Sequence, residues 1–160
     1  MSDSPSADAS SVQLLTDRVA VIETVDAIFD TCDAKDWAAN QALFADKVTV
    51  DFTSLAGGEP AEVTAAQLVD GWRAGLHAKK QSFHLVGHHR VTLDGDTAEV
   101  HAKGYAHNLL AAELGGGMWE VWGNYAFTLT RTPGGWKATA MTFTAQHTRG
   151  DEAVRTHLLP

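Results

Sequence analysis

At 160 residues and 17.1 kDa the chain fits one domain and is too short for two of ordinary size. Twelve Lys and Arg stand against twenty Asp and Glu, a formal charge of -8, and the longest cationic run is Lys79-Lys80, which excludes the clustered cations of a nucleic-acid binder. A content of 44% hydrophobic and 20% charged residues excludes a disordered chain, and the single cysteine, Cys32, excludes an intramolecular disulfide and a Cys-based zinc cluster.

Residues 1–11 are rich in Ser, Ala and Asp and are expected to form a flexible tail. They carry neither a basic stretch nor an apolar one, and no run in the chain approaches the ~20 residues of a membrane span, so a cytoplasmic protein with no membrane partner is expected. A single domain is then expected over residues 12–150, with residues 151–160 as a loosely held C-terminal tail. Leu14, Leu15, Val19, Ile22, Val25, Ile28 and Phe29 recur at three- and four-residue spacing and predict a long first helix. Asp33 to Asp36 is the turn after it. Asp36 is placed to cap a short second helix over Trp37 to Phe44. Lys47 to Thr53 alternates and predicts a strand. Gly57 to Pro60 is a loop, and Thr64 caps a third helix from Ala65 to about His77, with Leu68, Val69, Trp72 and Leu76 on one stripe.

Four strand-like stretches follow. Gln81 to Leu93 and Thr97 to Leu110 flank the turn Asp94-Gly95-Asp96; Met118 to Arg131 and Trp136 to Thr148 flank the turn at Thr132-Pro133-Gly134-Gly135. Helices kept apart from a run of meandering strands predict an α+β domain, a strongly curved mixed or antiparallel sheet with helices on its concave side. Such a cone encloses a cavity suited to a small-molecule ligand.

Eight histidines are many for this length, and five fall between His84 and His107. His84 and His88 have the spacing of metal ligands on a helix, but on a strand they stand about 13 Å apart at ~3.3 Å per residue. His88 and His89 point to opposite faces. No two of them hold one ion without a bulge, and no metal site is expected. The other arrangement is a carboxylate–imidazole pair. Asp33 ends the first helix behind apolar Ile28, Phe29 and Cys32, and His84 begins the first long strand. A carboxylate on one ring nitrogen fixes the tautomer and leaves the second nitrogen free as a base. Spacing alone leaves open the plainer alternative, a surface Asp at a helix end and an exposed strand His.

Cys32-Asp33-Ala34-Lys35-Asp36-Trp37, Val48-Thr49-Val50-Asp51-Phe52 and Ser82-Phe83-His84-Leu85-Val86-Gly87, in this order and at these separations, resemble the SnoaL-like branch of the NTF2-like superfamily. The likeness runs from about Val12 to Thr148 and is closest to the scytalone dehydratase group, whose relatives include a hexachlorocyclohexane dehydrochlorinase and a bile-acid dehydratase. The resemblance implies an NTF2-like cone and a catalytic Asp33–His84 dyad. It carries a second pocket histidine onto His107, within Gly104-Tyr105-Ala106-His107-Asn108, and a pocket asparagine onto Asn124. Trp122 has the parity of Asn124, and Tyr105 that of His107, so these two are candidate cavity residues. Where the dehydratase has two tyrosines that hold a polarising water, this chain has Cys32 and Phe52, which hold a water poorly.

The function implied is a cofactor-free lyase, a dehydratase-type elimination on a small apolar carbonyl or cyclic compound: His84 removes a proton, His107 assists the leaving group and Asn124 orients the substrate. An isomerase or cyclase of polyketide- or steroid-like substrates shares the proton abstraction and differs in product mass. A non-catalytic ligand-binding module on the same scaffold is the alternative from another class. Apolar and aromatic residues on the long strands predict that the outer sheet face is buried in a homo-oligomer, a dimer or trimer, and the resemblance implies a trimer.

Overall fold

A computed structural model describes residues 7–160. Its elements in chain order are α1 (Ala7–Ala34), α2 (Trp37–Ala42), β1 (Phe44–Asp51), α3 (Thr53–Ala56), β2 (Ala61–Thr64), α4 (Ala65–Gly75), β3 (Lys80–Asp94), β4 (Thr97–Leu110), β5 (Met118–Thr132), β6 (Gly135–Gly150) and α5 (Glu152–Thr156). The strands form one curved, unclosed six-stranded sheet in the order β2-β1-β6-β5-β4-β3. Neighbours are antiparallel except β1 and β6, which run parallel. The α+β cone expected from the sequence is the fold observed. No helix among the described residues is long and apolar enough to cross a membrane.

Period-two burial gives the sheet its two faces. Along β4 the even positions Ala98, Val100, Ala102, Gly104, Ala106 and Asn108 are buried, while Glu99, His101 and Lys103 are exposed. Along β5 the odd positions Val121, Tyr125, Phe127 and Leu129 turn inward. Against that concave face α1 lays Val21, Val25, Ile28 and Phe29, and this contact is the core. Asp17, nearer the start of α1, receives Arg131 Nη1 and Nη2 at 2.7 and 2.8 Å and ties the helix to the end of β5.

Four features depart from the sequence expectations. The helix α1 begins at Ala7, so residues 7–11 are helical and not tail; the rest of that expected tail, residues 1–6, lies outside the described residues. Helix α2 stops at Ala42 because Phe44, buried at the core, starts strand pairing opposite Ala138 of β6. After β1, Asp51 Oδ1 accepts both the backbone N–H and the hydroxyl of Thr53, which turns the chain into the short helix α3. The C-terminal segment is anchored: Val154 is buried, and Lys80 Nζ donates to the carbonyls of Gly75, Arg155 and His157 at 2.7, 3.1 and 3.1 Å. Asp36 and Thr64 cap α2 and α4 as expected, Thr64 in a capping box with Gln67.

Candidate active site

Asp33 sits in the last turn of α1. The helix ends there because Lys35 adopts a left-handed backbone, φ 58°, and Asp36 N–H turns back to the Thr31 carbonyl at 2.9 Å. Asn40 of α2 fixes that end from the side: its side-chain amide, fully buried, donates to the Ile28 carbonyl at 2.7 Å and to Thr31 Oγ1 at 2.9 Å. The Asp33 carboxylate is thereby aimed at the start of β3. Oδ1 lies 2.7 Å from His84 Nδ1 and accepts Ser82 Oγ at 2.8 Å, while Oδ2 accepts the backbone N–H of His84 at 2.7 Å. Ser82 and His84 share a strand face, so one carboxylate reaches both.

Burial by itself pushes the Asp33 carboxyl upward, but the hydrogen bond and charge of His84, the Ser82 hydroxyl and the His84 N–H outweigh it and hold its pKa below the ordinary range. An ionised acceptor on Nδ1 calls for the Nδ1–H tautomer, which leaves Nε2 as the unbonded ring nitrogen. Cys32, one residue before Asp33, is buried, and burial followed by the charge of Asp33 pushes its thiol up to about 12, so it stays protonated at neutral pH.

His84 lines a cavity of about 400 Å³ between the concave sheet and the helices. Its apolar wall comes from Phe29 and Cys32 of α1, Phe52 beside α3, Trp72 and Leu76 around α4, and Val121, Met141 and Phe143 of the sheet. Helix α3 is held onto β6 by Ser54 Oγ, which donates to the Phe143 carbonyl at 2.7 Å and accepts Ala145 N–H at 2.9 Å. Arg155 of α5 also reaches the cavity wall. Its Nε donates to Glu152 at 2.6 Å, and its guanidinium lies 5.9 Å from the Trp119 ring centroid.

The remaining polar groups of the cavity are Asn108 and Tyr125. The sequence predicts His107, Tyr105, Trp122 and Asn124 as the cavity's polar and aromatic residues instead, and the structure corrects all four. His107, Tyr105, Trp122 and Asn124 lie on the outer face, because each has the odd-on-β4 or even-on-β5 parity that turns away from the core. There Tyr105 Oη donates to Glu120 Oε1 at 2.8 Å, Arg149 Nε donates to Glu120 Oε2 at 2.6 Å, and His107 stacks on exposed Phe83 at 5.6 Å. Tyr105, Trp122 and Asn124 share an open trough with His88 and Lys103. The bulge that metal binding would have required does interrupt β3, between Gly87 and Arg90, with His88 at φ 56°. Within it His89 Nε2 lies 3.0 Å from Asp26 Oδ1. Cys32 and Phe52 do line the cavity with His84.

The sequence matches the model of the SnoaL-like domain over residues 13–142. None of the curated proteins matches it. Among solved structures, a protein from Kribbella flavida is 30% identical, with a TM-score of 0.81 over 85% of this chain and 95% of its own. A candidate scytalone dehydratase from Novosphingobium aromaticivorans has a TM-score of 0.75 at 16% identity, covering 93% of each chain. A type 2 hexachlorocyclohexane dehydrochlorinase has a TM-score of 0.71 at 14% identity, covering 94% of this chain and 97% of its own. The last two likenesses are of fold.

Proposed function

The chain belongs to the SnoaL-like domain family, and from that premise and the chemistry of the cavity we propose that it is a cofactor-free lyase eliminating water from a small, mostly apolar β-hydroxy carbonyl compound. The observation that carries the reading is the 2.7 Å contact of Asp33 Oδ1 with His84 Nδ1 at the wall of an apolar cavity. Two structural neighbours bear the names of enzymes that remove water and hydrogen chloride, respectively.

His84 Nε2 takes the proton on the carbon next to the carbonyl. The C–H electron pair moves onto the carbonyl oxygen as an enolate. When that pair returns, the β carbon–oxygen bond breaks, and the departing hydroxyl takes the proton from the His84 imidazolium and leaves as water. One imidazole is therefore base and then acid, which removes the need for His107. Asp33 stays ionised throughout and stabilises the imidazolium. General acid–base assistance of this kind contributes typically 10²–10⁴-fold, and orientation in the cavity supplies further acceleration.

The test is incubation with a panel of β-hydroxy ketones and cyclic β-hydroxy carbonyl compounds under mass detection. A product lighter by one water, lost in His84→Ala and Asp33→Asn, supports the reading. Turnover at the wild-type rate in either variant removes the dyad, and a product of unchanged mass makes the protein an isomerase. We also retain a homo-oligomer as a proposal, because Phe83 and Leu85 on the outer sheet face are 47% and 62% exposed. A monomer by light scattering contradicts it.

A further inference from the structure

Most of the buried polar side chains among the described residues have partners. Asp17, Asn40, His77, Lys80 and Glu120 each make side-chain hydrogen bonds. Asn108 and Tyr125, both lining the cavity, make no side-chain hydrogen bond among the described residues; Tyr125 is 7% exposed, and its hydroxyl oxygen is not among the atoms shut off from solvent without a partner. A phenol hydroxyl without a protein partner at the wall of an apolar cavity is a donor that a ligand there can complete.

The ring is also held to one place. Phe29 and Phe143 pack on it at 4.8 and 4.6 Å, and Phe127 stacks at 5.9 Å. Beneath it is Gly104, where a Cβ would stand 2.2 Å from Tyr125 Cε2. The ring thus occupies the volume that any other residue at position 104 would fill. The same Phe29 ring packs on His84 at 5.3 Å, so the phenol and the imidazole flank one shared neighbour at the cavity wall.

We propose that Tyr125 is a catalytic residue whose phenol O–H donates a hydrogen bond to the carbonyl oxygen of the substrate and to the negative charge that forms there when His84 removes the proton. This rests on the elimination reading above. No proton is transferred: the C–H pair arrives on the oxygen, the O–H bond of Tyr125 stays intact, and the pair returns as the β carbon–oxygen bond breaks. Burial, and then the charges of Cys32 and Asp33, push the phenol's own ionisation well above the usual range, so it is a donor at neutral pH. Cys32 and Phe52 offer no comparable donor to the cavity. The substrate class follows: an apolar skeleton whose acidic C–H is adjacent to a carbonyl or another oxygen that can carry charge.

The test uses 4-nitrophenol, a stable mimic of an enolate oxygen, against nitrobenzene, which lacks that oxygen. Binding to the wild-type protein and to Tyr125→Phe is measured by calorimetry, and binding to His84→Ala in parallel. The expected result is that 4-nitrophenol binds the wild type more tightly than nitrobenzene does. Tyr125→Phe then weakens 4-nitrophenol by roughly 10- to 100-fold and leaves nitrobenzene unchanged. Equal weakening of both ligands, no weakening, or a wild type that does not distinguish them overturns the proposal. Discrimination that persists while His84→Ala keeps full turnover on the carbonyl panel rejects the dyad and retains Tyr125 as an oxygen-binding residue.

Discussion

Asp33 grips His84 twice, through Oδ1 to the ring Nδ1 and through Oδ2 to the backbone N–H, each at 2.7 Å. A carboxylate bonded to the ring alone would permit the imidazole to swing with its strand. Bonded also to the peptide N–H, it locks ring and strand to the end of α1 as one unit. The Asp33–His84 pair and the packing of α1 on β3 are therefore the same interaction.

Asp33→Asn keeps the shape and removes the charge. It is expected to lower stability by about 1–3 kcal/mol at neutral pH, measured by urea unfolding, because one acceptor becomes a donor facing Ser82 or His84. The folded-state pKa of Asp33 lies below its ordinary 3.8. Its stabilisation is thus fully present above that value and is lost as pH falls through the lowered pKa. The variant should lose part of the acid limb of the stability profile, and an unchanged limb contradicts the assignment.

Gly104→Ala is expected to destabilise by about 1–3 kcal/mol, since the new Cβ meets the Tyr125 ring at 2.2 Å. The same substitution should weaken 4-nitrophenol binding by displacing the phenol. A variant as stable as the wild type, with binding intact, shows that the ring does not depend on this glycine.

Lys80→Met removes the ammonium that donates to the carbonyls of Gly75, Arg155 and His157. Burial holds the Lys80 pKa below its ordinary value, yet three carbonyl acceptors suit an ammonium and no apolar side chain replaces them. The expected cost is about 1–3 kcal/mol, with faster amide exchange across residues 152–157 than elsewhere. Uniform exchange rates across the chain would show that the C-terminal helix is held by other contacts.

His107→Ala is expected to leave turnover unchanged, because its ring stacks on Phe83 on the outer face. A large loss of turnover, with the fold intact, contradicts the one-imidazole mechanism.

The sequence made the first anchor of the site legible and misplaced the second. Asp33 and His84 lie far apart in the chain, and only the resemblance joined them; their spacing carries no such information. On β4 and β5 the resemblance carries the pocket histidine and asparagine onto His107 and Asn124, one position short of Asn108 and Tyr125, which face inward. The signal was present in the strands themselves. Glu99, His101 and Lys103 set the outward parity of β4, which sends Asn108 in. Phe127 and Leu129 alternating with Thr128 and Thr130 set that of β5, which sends Tyr125 in. The C-terminal helix was illegible for another reason: its anchor is one lysine, Lys80, whose burial depends on carbonyls that only the fold brings together. Likewise β2 is short and exposed, and its partner β1 supplies the pairing that its own sequence does not announce.

The measurement that bears most directly on the whole account is the tautomer of His84, read from the nitrogen-15 shifts of its ring at neutral pH. The account predicts a protonated Nδ1 on Asp33 and an unprotonated Nε2 presenting its lone pair to the cavity, with that preference lost in Asp33→Asn. A ring protonated on Nε2 and bare on Nδ1 would leave the cavity without a base and contradict it.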